Sequence, residues 1–373
     1  MIPTQRLPGS LTPLNAALAA LLQYLEPVAP LALPLGEAVG CVAADMPSAR
    51  PHPLRDIAAS DGWALRARDL VGASSYSPLP LASLPVWVEA GEPMPEGCDC
   101  VLDADALDQT SALVQALAEA MPGQGVRRAG GEITGAGVII ASGRRVRSLD
   151  LLIARAAGLQ NLHVRRPRLR VVNIPPNSGD KLTAQLISEN AHAAGAEVVC
   201  AAARGRDAAS VAEAADASAC DLLVTVGGSG VGRTDATIAA LAKCGQVIAH
   251  GIALQPGRTA AVGSIGNVPV IALPGAPDQA LAAWWMLALP ALDRLSGLSP
   301  RQPLMLPLLR KIASSVGIAE LVLLQRSEAG WMPTAVGDMS LDAIARADAW
   351  LAVPGASEGF AAGSEVGAYM LRE

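Results

Sequence analysis

Residues 222–235 read Leu-Leu-Val-Thr-Val-Gly-Gly-Ser-Gly-Val-Gly-Arg-Thr-Asp, an apolar run followed by a glycine-rich turn. The run at 222–226 has no polar alternation, which is typical of a strand buried in a parallel sheet. Residues 236–243 have helical character. Ligands of such sheets bind beyond the carboxyl ends of the strands, where glycines and helix N–H groups can approach a phosphate. We therefore predict that this segment binds the phosphate of a small molecule.

The predicted ligand-binding residues of the turn are Gly227, Gly228, Ser229, Gly230 and Gly232. The turn matches neither a Walker loop nor the G-x-G-x-x-G dinucleotide fingerprint. A tight strand-to-helix turn, with Asp235 as the helix cap, is the alternative interpretation.

Strands and helices alternate on both sides of this segment, which predicts a doubly wound α/β domain at 168–298. The predicted strands lie at 168–174, 197–202, 222–226 and 268–273, and the predicted helices at 182–194, 208–217, 236–243 and 277–295.

The rest of the chain lacks this regular alternation of strands and helices, so the predicted fold class is α/β plus β with several subdomains. Short apolar runs such as 84–88 and 138–141, separated by Gly and Pro, predict a β-rich subdomain at 46–146. Residues 1–45 and 147–167 are predicted to form an N-terminal and linker helical subdomain. Residues 299–373, with strands near 321–325 and 349–353, are predicted to form a C-terminal β subdomain.

Composition excludes several classes of function. The net charge is −6, from 28 basic and 34 acidic residues, which argues against nucleic-acid binding. The longest apolar stretch, 280–292, contains Pro290 and is shorter than the roughly 20 residues of a spanning helix. Residues 1–10 lack the apolar core of a signal peptide, so we expect a cytoplasmic protein. The six cysteines form no C-x-x-C pair, so no zinc site is expected.

Two further loops are predicted to converge on the glycine turn. Residues 254–259 include Arg258, which has the geometry to pair with a phosphate through two N–H groups. The alternative for Arg258 is a solvated surface arginine. Residues 273–277 include Pro274 and Pro277 and lie between a predicted strand and a predicted helix.

Two acidic turns lie in the β-rich region. Asp61 precedes Gly62 and Trp63 and is a candidate to orient a ligand or a metal, with an ordinary Asp-Gly hairpin turn as the alternative. Residues 127–133, which include Arg127, Arg128 and Glu132, are a candidate to hold an anion or a cation, with a solvated charged turn as the alternative.

Six segments, in order along the chain, resemble motifs of the molybdopterin molybdenumtransferase family, which includes the E domain of gephyrin. Residues 60–64 resemble M-D-G-Y-A, residues 90–101 resemble T-G-A-P-V-P-E-G-A-D-A-V, residues 127–133 resemble R-x-x-G-E-D-I, residues 227–235 resemble G-G-V-S-V-G-x-x-D, residues 256–258 resemble P-G-K, and residues 273–277 resemble L-P-G-N-P.

The resemblance implies a homodimer of four-subdomain chains that takes molybdate and adenylated molybdopterin as substrates, uses Mg²⁺ and releases AMP. The site would lie between the α/β domain of one chain and the second subdomain of the other. It implies catalytic roles for Asp61, Glu132 and Asp235, with Asp61 and Asp235 as metal ligands. The product would pass to a molybdenum enzyme or to other cofactor-biosynthesis proteins.

The sequence departs from the family pattern at several charged positions. Ala90 replaces a threonine, Lys181 a carboxylate, Arg206 an aspartate, and Gly251 and Gln255 two lysines. Hard cations need oxygen ligands, so a lost carboxylate weakens magnesium binding. The alternative function is therefore a catalytically inactive relative that binds a pterin or nucleotide, or acts as a chaperone for a molybdenum or tungsten enzyme.

Overall fold

The computed structural model describes residues 5–110, 113–135, 137–176 and 181–371. The helices in these residues are α1 Leu14–Leu22, α2 Ser148–Ala156, α3 Leu182–Ala193, α4 Ala208–Ala214, α5 Thr237–Cys244, α6 Pro277–Ala283, α7 Leu289–Ser296 and α8 Leu341–Arg346. A π-helical segment, Trp284–Ala288, joins α6 to α7, so the helix predicted at 277–295 is continuous. Within the described ranges, no helix combines the length and the apolar character needed to cross a bilayer.

The strands fall into three groups along the chain. The first group is β1 Thr12–Pro13, β2 Leu31–Pro34, β3 Val42–Ala43, β4 Ile57–Ala58, β5 Gly62–Leu65, β6 Leu79–Pro80, β7 Val86–Val88, β8 Cys100–Leu102, β9 Leu107–Asp108, β10 Gln115–Ala116, β11 Val126–Arg127 and β12 Asn161–Arg165. The second is β13 Arg168–Asn173, β14 Glu197–Ala202, β15 Leu222–Val226, β16 Gln246–His250, β17 Ile252–Gln255, β18 Ala261–Ile265 and β19 Val268–Leu273. The third is β20 Leu304–Pro307, β21 Ile312–Ala313, β22 Ala319–Ser327, β23 Gly330–Val336, β24 Ala349–Val353, β25 Gly359–Phe360 and β26 Glu365–Met370.

The predicted doubly wound α/β architecture is confirmed. Its sheet has the strand order β14-β13-β15-β19-β18-β16; the first four strands are parallel, β18 pairs antiparallel with β19, and β16 pairs antiparallel with β18. Successive residues of β13 face opposite sides: Val171 packs with α3 and α6, and Val172 packs with α4 and α5. Burial on both faces explains why the central strands β15 and β19 are almost entirely apolar.

The N-terminal region is built from small sheets. Strands β2, β12 and β3 form one sheet, against which α2 packs. The β-rich region contains the sheets β7-β5-β8, β6-β10-β9 and β4-β11. The strand expected at 138–141 is absent, and Val138 makes only an isolated bridge with Ser48. This correction has a physical reason, because a short apolar run forms a strand only where a partner strand runs beside it.

The C-terminal sheet includes strands from distant parts of the sequence. Its order is β1-β17-β22-β24-β26-β20, with β23 paired to β22, so residues 12–13 and 252–255 join strands of the last 75 residues. Trp285 stacks on Trp350 with ring centroids 5.4 Å apart, which ties the helix after β19 to this sheet. The first helix, α1, packs in the core of the α/β domain. The predicted subdomain boundaries stay a prediction.

Candidate functional site

A cleft of about 730 Å³ opens at the carboxyl ends of β13, β15 and β19. Strand β13 continues through α3 to β14 on one side, and the chain then returns to β15 on the other side of β13. This reversal of strand order is where ligands bind in open α/β sheets, because the connecting loops diverge there. The polar and charged side chains that line it are those of Asn173, Lys181, Thr183, Arg206, Asp235, Thr259 and Gln279.

The glycine turn forms one wall of this cleft. Gly228 has φ +68°, and a Cβ atom at this position would collide with the Oγ1 atom of Thr237. Thr237 is buried and donates its hydroxyl to the carbonyl of Gly227 at 2.9 Å. Glycine at 228 is therefore required both by the left-handed conformation and by the close approach of the first residue of α5.

Asp235 folds back beneath the same turn. Its Oδ2 atom accepts the N–H of Gly232 at 2.9 Å, and a Cβ atom at Gly230 would lie 2.6 Å from that oxygen. Packing around this carboxylate therefore accounts for two of the four glycines, as the alternative interpretation of a tight structural turn anticipated.

Arg206 makes the closest contact with Asp235. Its Nη2 atom donates to Oδ1 of Asp235 at 2.6 Å, and its Nε and Nη1 atoms donate to Thr234 Oγ1 at 3.0 Å and to the Pro175 carbonyl at 2.9 Å. The two charged side chains are 22% and 15% exposed, so the pair is largely withdrawn from water. Three hydrogen bonds fix the guanidinium plane at the edge of the cleft.

The N-terminus of α5 is not open to a phosphate in this conformation. The Oε1 atom of Gln5 accepts the N–H groups of Ile238 at 2.8 Å and Ala239 at 3.3 Å. Its Nε2 atom donates to the carbonyls of Gly228 and Gly230 at 3.1 and 2.7 Å. Ala236 precedes α5 and has no capping side chain, so Gln5 supplies the cap from a distant part of the chain. Gln5 therefore occupies two of the N–H groups that the sequence assigned to a phosphate, and phosphate binding at this helix end stays a prediction.

The predicted binding residues divide into two groups. Gly227, Gly228, Gly230, Asp235, Pro274 and Pro277 line the cleft. Ser229, Gly232 and Arg258 do not line it. Ser229 is fully buried, and its carbonyl lies 3.0 Å from Nε2 of His250. Arg258 is exposed, as its alternative interpretation anticipated.

Asp61 and Glu132 lie in the β-rich region and do not line the cleft of their own chain. Asp61 is exposed and accepts the backbone N–H of Ala90 at 2.8 Å. Glu132 pairs with Arg127 at 2.8 Å and lies 3.6 Å from Nε2 of His52. Within one chain, neither carboxylate meets Asp235.

The described residues contain no cluster of potential metal ligands within one chain. None of their His, Cys, Asp and Glu side chains gather in groups of three or more. Among the described residues that line the cleft, Asp235 is the only carboxylate, and both of its oxygens are already hydrogen-bonded. Ser178, Gly179 and Asp180, part of a motif in which the sequence departs from the family, lie outside the described residues.

Sequence reasoning singled out Arg206 and Lys181 only as departures from a pattern, and it missed Asn173, Thr183 and Gln279. The sequence does contain a signal for Asn173 and Arg206. Each lies at or just after the carboxyl end of a parallel strand, where ligands bind in such sheets. Thr183 donates to the carbonyl of Gly275 at 2.7 Å and so joins α3 to the loop after β19.

The half-buried side chain of His250 behind the turn predicts a dependence of stability on pH. Burial lowers the pKa of His250 below its ordinary value of 6.5. The unfolded chain therefore binds a proton at a higher pH than the folded chain does. The contribution of His250 is complete above pH 6.5 and is lost as the pH falls toward the lowered pKa. We expect a lower urea midpoint at about pH 5.5 than at about pH 7.5.

The His250→Gln variant should show a smaller change in midpoint between these two conditions. His163, an exposed residue of β12, offers the matched control, and His163→Gln should keep the dependence of the parent chain. An unchanged pH dependence in His250→Gln would contradict the assignment.

Comparison with known proteins identifies the family. Residues 12–158 match the family model described as the MoeA N-terminal region (domain I and II), and residues 177–294 match the one described as a probable molybdopterin binding domain. A Mycobacterium tuberculosis protein named molybdopterin molybdenumtransferase 2 is 30% identical over 319 residues, which cover 74% of this chain and 77% of that protein. The chain belongs to the molybdopterin molybdenumtransferase family.

The chain is also similar to a second curated protein and to a solved structure. The Haemophilus influenzae molybdopterin molybdenumtransferase is 28% identical over 276 residues, covering 66% of this chain and 67% of that protein. The solved structure of a Pyrococcus horikoshii molybdopterin biosynthesis MoeA protein has a TM-score of 0.73 at 22% identity and covers 98% of this chain and 100% of that one. This likeness confirms the predicted multi-subdomain fold.

Proposed function

We propose that this chain acts in molybdenum cofactor biosynthesis, inserting molybdate into adenylated molybdopterin with release of AMP. The main support is the convergence of two family-like segments, the glycine turn and residues 273–277, on one cleft. The cleft is also suited to anions, because Lys181 and Arg206 face one carboxylate, Asp235, among its described residues.

The reaction breaks the pyrophosphate link of the substrate: an oxygen of water or of molybdate bonds to one phosphorus as its bond to the bridging oxygen breaks, so that AMP leaves with one phosphate and the pterin keeps the other. The negative charge that develops on the phosphate oxygens needs fixed donors at the place where it forms. Arg206 suits this role because its three hydrogen bonds hold the guanidinium in place before the substrate binds. Lys181 adds a second cation at the start of α3.

A homodimer is part of the proposal. Asp61 and Glu132 would then reach the cleft of the partner protomer, where the resemblance assigns them catalytic roles. A mixing experiment tests this arrangement: Asp61→Ala and Asp235→Ala chains, each strongly impaired alone, should recover activity when co-refolded, because one intact shared site forms in the mixed dimer. No recovery would argue against a shared site.

Magnesium fits the described residues poorly. The ion requires several oxygen ligands, and the described lining of the cleft offers the single carboxylate of Asp235, which already pairs with Arg206. Asp61 and Asp235 as metal ligands, a cytoplasmic location and delivery of the product to a molybdenum enzyme stay predictions.

Reconstitution tests the proposed function. The purified chain should convert adenylated molybdopterin and molybdate to AMP and a product that activates an apo-molybdoenzyme. Omission of molybdate is the control for hydrolysis of the pyrophosphate alone. AMP release no faster than in buffer would reject the transferase and leave the alternative of a pterin-binding protein or chaperone, which has less support because the named relatives are transferases.

A further inference from the structure

The Arg206–Asp235 pair lies at the edge of the cleft. A cation bound there would need the carboxylate oxygens of Asp235 as ligands. Oδ1 of Asp235 accepts from Arg206 at 2.6 Å, and Oδ2 accepts the N–H of Gly232 at 2.9 Å. A divalent cation would have to displace the guanidinium to reach Oδ1. The same cation would then lie against the positive charge of Arg206, which is held nearby by Thr234 and Pro175. Like charges in a site withdrawn from water repel strongly.

The guanidinium itself is placed to bind an oxyanion. It has five N–H groups. Three of them donate to described residues, which leaves two that make no such bond with the described part of the chain. Arg206 lines the cleft together with Lys181. A planar guanidinium held in a fixed orientation presents paired donors that match the oxygens of a phosphate group.

We propose that Arg206, fixed by Asp235, takes the place of the divalent cation in this cleft, so that the chain binds the pyrophosphate group of its substrate without Mg²⁺. The inference deepens the proposed function and rests on it for the identity of the substrate. Asp235 is then a positioning residue for Arg206 and has no metal to bind.

Calorimetry with inorganic pyrophosphate tests this inference on the full chain. The dissociation constant should be the same, within about twofold, in EDTA and in Mg²⁺ once the fraction of pyrophosphate complexed by magnesium is taken into account. Arg206→Ala should bind pyrophosphate at least about tenfold more weakly in EDTA, because a hydrogen bond to a charged group contributes about 1.5 kcal/mol or more.

Arg204→Ala is the matched control. Arg204 lies two positions away, is largely exposed and pairs with Glu213 at 3.7 Å, and it does not line the cleft. This variant should bind pyrophosphate as the parent chain does. Thermal melting of each variant separates loss of binding from loss of fold.

A third variant, Arg206→Asp, reverses the charge beside Asp235. Two carboxylates would then face each other, and pyrophosphate should bind only when Mg²⁺ is present. Arg206→Lys keeps the positive charge but lacks the paired N–H groups of the guanidinium, and it should recover part of the pyrophosphate affinity lost in Arg206→Ala.

The outcomes separate this inference from the proposed function. Pyrophosphate binding that requires Mg²⁺ in the parent chain, no binding under either condition, or unchanged binding in a folded Arg206→Ala chain would each overturn the inference. AMP release that requires Mg²⁺ would overturn it and leave the transferase function intact. Absence of AMP release together with magnesium-independent binding lost in Arg206→Ala would reject the function and support the inference.

Discussion

Replacing Gly228 with alanine should destabilise the α/β domain by about 3 kcal/mol and close part of the cleft. Two costs add. An alanine at φ +68° is strained by about 1–2 kcal/mol, and its methyl group would collide with the buried hydroxyl of Thr237. The shift in the urea midpoint of unfolding measures the loss, and calorimetry with pyrophosphate measures the effect on the cleft.

Gly266→Ala is the control for the conformational part of this cost. Gly266 lies in the turn between β18 and β19 at φ +57°, and an added methyl group would meet no neighbouring atom within 4 Å. We expect it to cost about 1 kcal/mol and to leave pyrophosphate binding unchanged. Equal losses in the two variants would show that the contact with Thr237 has no part in the effect.

The second large effect is expected for Asp235→Ala. Removing this carboxylate leaves the largely buried guanidinium of Arg206 without its counter-charge, which should cost about 3 kcal/mol of unfolding free energy. Arg206 would also lose its fixed orientation. If it stabilises charge on the substrate, AMP release should slow by about a hundredfold, as for the loss of one fixed oxyanion donor.

Asp221→Ala separates these two effects. Asp221 pairs with Arg168 at 2.9 Å and also accepts its backbone N–H at 2.8 Å, at the opposite end of the same sheet. This variant should lose stability without any change in the rate of AMP release at a temperature where both chains are folded. A similar fall in rate in Asp221→Ala would mean that Asp235 acts through stability alone.

Strands that lie inside a sheet could be predicted from their own residues, because their apolar character does not depend on which strands pair with them. Three strands that lie inside their sheets, Leu222–Val226, Val268–Leu273 and Ala349–Val353, have the bounds predicted for them, as does the edge strand Glu197–Ala202. A strand that lies inside a sheet is apolar along its length whatever its neighbours are, so its own residues reveal it. The position of the cleft followed from the same strands, because their carboxyl ends define it.

The details of the site were not predictable, because they depend on residues far apart in sequence. Arg206 and Asp235 are 29 positions apart, and Gln5 caps α5 from 233 positions away. No local pattern indicates either contact. Strands β16, β17 and β18 were not predicted for a related reason. Gly251, with φ +81°, turns the chain between β16 and β17, which are short and pair in different sheets.

The parallel pairing of β1 with β17 has a consequence for synthesis on the ribosome. Thr12 pairs with Ile252 and Pro13 with Ala253, and α1 follows immediately and packs in the core of the α/β domain. The first helix therefore leaves the exit tunnel long before the residues that will cover its apolar face have been translated. During that interval its leucines face solvent or a chaperone, and the nascent chain cannot complete its core until most of its length has emerged.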